Sequence, residues 1–191
     1  KGVIMKISEE IKFGSTLALF GANPDRFLAE GYKDTNTVED RLKMISQVPE
    51  IKGVDFYRGW DINSENVEII KELLDKYNLE PAAVTANISS MREFALGSVC
   101  SPNKSYRELA WQEIKDTIDQ AAKINCKIVN LWFGQDGYDY CFQVDYMDSF
   151  RKLVKALREA ADYNPDVTIA IEYKPKEPRK RLFMASAAVT L

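Results

Sequence analysis

Reactive side chains gather in the run Ile171-Glu-Tyr-Lys-Pro-Lys-Glu-Pro-Arg179. Side chains alternate along a strand with a period of two, so Glu172 and Lys174 share a face if the run ends a strand. A carboxylate there can hold a hard divalent cation. An ammonium beside it can donate to a ligand oxygen and stabilise charge that develops on it. The competing reading is an exposed salt bridge at a loop mouth. In Leu131-Trp-Phe-Gly-Gln-Asp-Gly-Tyr138, Trp132 and Phe133 offer an apolar wall and Asp136 a polar contact. Gly134 and Gly137 permit backbone angles closed to other residues. An aromatic core followed by an ordinary turn explains that run equally well. Thr85-Ala-Asn87, Tyr57 and Trp60 carry weaker signals, for which a polar strand end and plain packing are the competing readings.

Composition narrows the chemistry. The 191 residues include no histidine, which excludes Ser-His-Asp and Cys-His catalysis and every imidazole metal site within the chain. Any metal must be held by carboxylates and other oxygens. The formal net charge of −3 lacks the clustered basic excess of a nucleic-acid surface. Cys100, Cys126 and Cys141 are odd in number and widely spaced, as free thiols of a reducing cytosol would be. No apolar run is long enough to span a membrane. Lys1–Glu10 lacks the apolar stretch of a signal peptide. A soluble, cytoplasmic protein handling small molecules is expected.

The elements that must position these residues alternate. Strands are expected over 11–20, 53–56, 81–88, 127–133 and 167–173. Between them, helices are expected to open at the capping box Thr37–Asp40, near Ser64 with Asn63 as cap, and at the capping box Ser105–Glu108. A further helix carries Phe150, Leu153, Val154 and Leu157 at helical spacing. Residues 89–104 and 134–146 read as long loops, and a last helix is expected from Arg179. Strand–helix alternation with continuous apolar strands predicts a parallel sheet covered by crossover helices. An open doubly wound sheet and a closed barrel both satisfy it. No glycine-rich phosphate fingerprint follows the first strand, and polar and aromatic residues gather just after strands, as on the catalytic face of a barrel. A full barrel takes about 250 residues or more, so five strands are expected to be the first part of one, cut off before closure. A smaller complete α/β sheet is the alternative.

These segments together resemble xylose isomerase and the wider xylose-isomerase-like TIM barrels. IEYKPKEPR is similar to that family's metal-ligand strand, LWFGQDGY to its fourth-strand region, KFGSTLALF to its first strand, and Ser101–Asn125 to the helix before the fourth strand. The resemblance implies an α/β fold, a (β/α)₈ barrel of which residues 1–191 form the N-terminal part of a single domain. It implies a metal-dependent sugar isomerase that interconverts an aldose and a ketose. Glu172 would be the metal ligand for Mn²⁺, Mg²⁺ or Co²⁺. Lys174 would be catalytic, and Trp132, Phe133, Asn87 and Tyr57 would bind the sugar. Glu177–Pro178 is a candidate for a cis bond, which costs little before proline. A homo-oligomer with no nucleic-acid or membrane partner is expected. Two positions depart from the family: Met91 and Tyr57 stand near its histidines, and neither exchanges a proton near neutral pH as imidazole does. That points away from xylose and toward another sugar or a carboxylate base. A truncated or degenerate barrel that only binds a sugar, and an endonuclease-IV-like nuclease, are the other readings; the lack of histidine argues against the second.

Overall fold

The structure is a computed structural model and describes residues 11–191 apart from Arg26 and Ala29. The reading of Lys1–Glu10 lies outside the described residues. Five parallel strands form the main sheet: β1 (Phe13–Thr16), β2 (Ile51–Tyr57), β3 (Glu80–Thr85), β4 (Ile128–Trp132) and β6 (Thr168–Glu172). Their order in the sheet is their order in the chain. A doubly wound sheet reverses direction partway. A sheet that always grows on the same side, with right-handed crossovers, curls as a barrel wall instead.

The helices α1 (Val38–Ser46), α2 (Val67–Tyr77), α3 (Lys104–Lys123) and α4 (Tyr146–Tyr163) fill the crossovers. Thr37 and Asp40 cap α1 reciprocally, as their spacing predicts. Asn63 accepts from the backbone of Glu65 and Asn66 and turns the chain into α2, which starts later than Ser64. The expected capping box at Ser105 does not form. Asn103 takes the Ser105 N–H at 3.0 Å instead, and Glu108 pairs with Lys104. Asp145 caps α4. The helices bury one face of the sheet, where Val54, Phe56, Val84, Val129 and Leu131 are fully inaccessible. Alternate residues on the same strands face the barrel interior.

The first strand is shorter than expected: after Thr16 the chain tightens into a 3₁₀ turn, Leu17–Phe20, that buries Leu17. The Ser89–Lys104 loop is packed rather than free, with Phe94 and Ser98 fully buried. The helix expected from Arg179 is replaced by β7 (Arg181–Leu182), antiparallel to β5 (Gly137–Tyr138). Phe183 explains this: its ring packs on Tyr138, Tyr146 and Phe150, and its N–H donates to the Asp136 carbonyl at 3.0 Å. Only Ala187–Thr190 is helical, as α5. No described peptide bond is cis, so Glu177–Pro178 is trans; the turn is closed by the Glu177 N–H on the Lys180 carbonyl at 2.8 Å. No described helix is long and apolar enough to cross a membrane.

Candidate active site at the strand ends

The carboxyl ends of β4 and β6 carry the candidate residues. Trp132 and Glu172 are Cα partners in the β4–β6 register. Because β4 alternates, Trp132 and Phe133 point to opposite sides. Phe133 is 1% exposed and belongs to the core, so the wall expected from both rings comes from Trp132 alone. A Cβ on Gly134 would lie 2.6 Å from the Trp132 ring, so only glycine lets the indole lie against the following chain. The Trp132 Nε1–H is buried without a partner among the described residues.

Lys174 follows β6, its backbone fixed by a hydrogen bond from its N–H to the Met184 carbonyl at 2.9 Å. Its Nζ stands 5.5 Å from the centroid of the Trp132 ring and 2.6 Å from Oε1 of Glu177. Lys174 is thus seated on the aromatic wall and neutralised by Glu177 rather than by Glu172. Glu172 Oε2 instead accepts from Asn130 Nδ2 at 3.1 Å.

That bond is the end of a row across the interior wall. Asn130 Nδ2 also donates to Thr85 Oγ1 at 3.4 Å, and Thr85 Oγ1 donates to Asp55 Oδ1 at 3.2 Å. Burial pushes the Asp55 carboxyl up to about 6, against the lowering effect of the Thr85 hydroxyl, with Asp61 and Glu172 adding to the rise. The sequence signal for this row was an acid inside the strand GVDF and an amide inside IVNLW, both easily read as ordinary strand polarity.

Tyr57 ends β2 with its hydroxyl 3.2 Å from Ser89 Oγ and its ring stacked on Trp60 at 4.4 Å. Burial raises its phenol above the ordinary range. Its N–H donates to Asp61 Oδ2 at 2.9 Å, and Arg41 pairs with the other oxygen of Asp61 at 2.6 Å. Asn87 is buried, and its Oδ1 accepts from the Ser90 hydroxyl and, at 3.4 Å, from the Ser90 N–H. It is engaged in its own loop. Met91 packs against the core.

Asp136 is a loop staple and not a ligand contact. It is fully buried and accepts the N–H groups of Ser98 at 2.9 Å and Cys100 at 2.8 Å, together with the Ser98 hydroxyl. Its own carbonyl takes the Phe183 N–H. One residue therefore ties together the loops after β3, β4 and β6. Lys180, 7% exposed, adds a second tie from its Nζ to the Ala95 carbonyl at 3.1 Å.

For the divalent ion that the resemblance implies, the donor set is incomplete. Among the described residues no three carboxylate or thiol side chains gather as an ion site. Glu172 offers a single carboxylate, and Thr85 and Asn130 stand between it and Asp55. A hard cation takes about six oxygens, so these residues alone do not make its site.

A parallel sheet that grows one way, with crossover helices on one face and polar residues at its strand ends, is part of a TIM-barrel fold. The sequence profile of the xylose isomerase-like TIM barrel family matches residues 34–189, and the chain belongs to that family. It is 25% identical over 183 residues to the xylose isomerase of Tetragenococcus halophilus, covering 85% of this chain and 42% of the relative. The xylose isomerase of Listeria welshimeri is 23% identical over 191 residues, covering 90% and 44%. The chain thus spans less than half the length of these curated relatives. A crystal structure of D-allulose 3-epimerase from Methylomonas sp. shares the fold at TM-score 0.65 and 14% identity, over 94% of this chain and 57% of that one. A family 2 AP endonuclease from Brucella melitensis does so at TM-score 0.60 and 15% identity, over 90% and 59%.

Proposed function

We propose that the protein containing this chain is a sugar isomerase that interconverts an aldose and a ketose. The observation that carries the reading is the seating of the Lys174 ammonium over the Trp132 ring, one strand end from Glu172. An isomerisation moves a carbonyl along a carbon chain, so an oxygen gains negative charge in the transition state. Lys174 donates to that oxygen, and the low-polarity face of Trp132 beside it strengthens the interaction by excluding water. The same indole face packs the C–H side of the sugar, and its unpartnered Nε1–H is a donor for a sugar hydroxyl. Glu177 holds the Lys174 ammonium in place through the 2.6 Å ion pair. Tyr57 presents its phenol from the β2 side.

A divalent ion in the complete site would polarise the carbonyl and hydroxyl oxygens and orient them. Glu172 is the ligand that this chain would give it. The identities of the curated relatives support the isomerase reading.

The test is calorimetric titration of Mn²⁺, Mg²⁺ and Co²⁺ into the full-length protein and its Glu172→Ala variant, with a panel of aldoses and ketoses assayed in parallel. Binding abolished by Glu172→Ala, with ion-dependent conversion of one sugar, is expected. An intact protein that binds none of the ions contradicts the ion-dependent mechanism and favours a sugar-binding barrel without catalysis.

A further inference from the structure

The interior wall carries an acid, Asp55, that pairs with no cation among the described residues. Asp55 lies in β2 with Thr16 of β1 and Ala83 of β3 as its register partners. Its facing groups are Tyr57 from β2 itself, Thr85 from β3, Asp61 from the turn after β2, Cys126 from the segment before β4 and Glu172 from β6, with Asn130 of β4 linked to it through Thr85. None is a cation. Arg41 is committed to Asp61, and Lys174 to Glu177. A half-buried carboxylate without a counter-charge disfavours the folded state, and an asparagine would accept the same Thr85 hydrogen bond without that cost. Such uncompensated acids cluster at functional sites.

The row fixes where a proton on Asp55 resides. A carboxylate only accepts, so the amide nitrogen of Asn130 must face Glu172. The same nitrogen gives its second hydrogen to Thr85 Oγ1, and Thr85 therefore turns its own hydrogen onto Asp55 Oδ1. Oδ1 is held as an acceptor. Oδ2 makes no hydrogen bond to any described residue, so it is the oxygen left to take up and release a proton.

We propose that Asp55 is a catalytic residue that exchanges a proton, through Oδ2, with an oxygen of the sugar. This rests on the isomerase reading above and extends it. When the carbonyl moves, the hydroxyl that becomes the new carbonyl loses its proton to Oδ2. The hydrogen on that hydroxyl's carbon, with its electron pair, passes to the old carbonyl carbon. The old carbonyl oxygen takes the proton back from Asp55. Proton and electrons balance within the substrate, with no oxidant or reductant. The chain has no imidazole for the task, and a carboxyl poised close to neutral pH is suited to it.

The experiment follows kcat and KM against pH from 5 to 8.5 in the full-length wild type, Asp55→Asn and Thr85→Val, with urea unfolding as a folding control. Wild type is expected to show an acid limb in kcat. Asp55→Asn should lower kcat about 100-fold or more, remove that limb and leave KM within about threefold. Thr85→Val removes a bond that lowers the Asp55 pKa, so its acid limb should move to higher pH. An Asp55→Asn enzyme with wild-type kcat and an unchanged limb overturns the proposal, as does a Thr85→Val limb that stays put should Asp55→Asn fail to fold. A wild type that converts no sugar overturns the isomerase reading and this proposal with it, and is told apart because the failure is then in the wild type itself.

Discussion

Thr85 donates its hydroxyl hydrogen to Asp55 across the β2–β3 pair at 3.2 Å, and that bond lowers a carboxyl which burial nonetheless pushes up to about 6. The folded state therefore binds a proton on Asp55 that the unfolded chain has already released. Stability falls as pH rises from about 4 to about 6, and the deficit persists above that range. Asp55→Asn is expected to raise stability by roughly 2 kcal/mol at pH 7.5 and to change it little at pH 4. Urea midpoints at the two pH values check this. Equal midpoints for both proteins at pH 7.5 would show that burial of the charge costs nothing.

Removing the Asp136 side chain strands two buried N–H donors, those of Ser98 and Cys100. Asp136→Ala is expected to lower stability by about 3–5 kcal/mol. Asp136→Asn should recover most of that, because its Oδ1 can keep both N–H bonds and the Ser98 hydroxyl can accept from its amide nitrogen. Thermal unfolding of the two variants separates a loop staple from a surface polar residue.

Gly137 is demanded by close approach rather than by its backbone angles. A Cβ there would lie 2.0 Å from the Arg181 carbonyl oxygen in the neighbouring strand. Gly137→Ala should part β5 from β7 at a cost of about 2 kcal/mol. Faster amide exchange at Phe183, whose N–H donates to the Asp136 carbonyl beside the ribbon, with exchange in β2 and β3 unchanged, is the expected signature.

The order of elements was legible because each of the larger helices and strands of the sheet has its own periodicity: Leu42 and Ile45, or Val67, Ile70, Leu73 and Leu74, give the helical stripe directly. The β5–β7 ribbon was not, since a two-residue pairing has no period and depends on Phe183 finding the aromatic cluster beside α4. Glu172, Lys174 and Trp132 stood out as chemistry at strand ends, and the structure brings them together. Their partners did not: Glu177 on Lys174, Asn130 on Glu172 and Thr85 on Asp55 are contacts set by strand register and loop closure. Phe133 went to the core because it is the odd neighbour of Trp132, and Asn87 went to its own loop because Ser90 lies within reach.

The most direct test of the central claim is sugar conversion followed by NMR in the full-length wild type and Lys174→Met, over a panel of aldoses with the divalent ions supplied. Wild type should convert one aldose to its ketose, and Lys174→Met should lower kcat by about 100-fold or more while KM changes little. A Lys174→Met protein with the wild-type rate, or a folded wild type that converts no sugar of the panel, would contradict it.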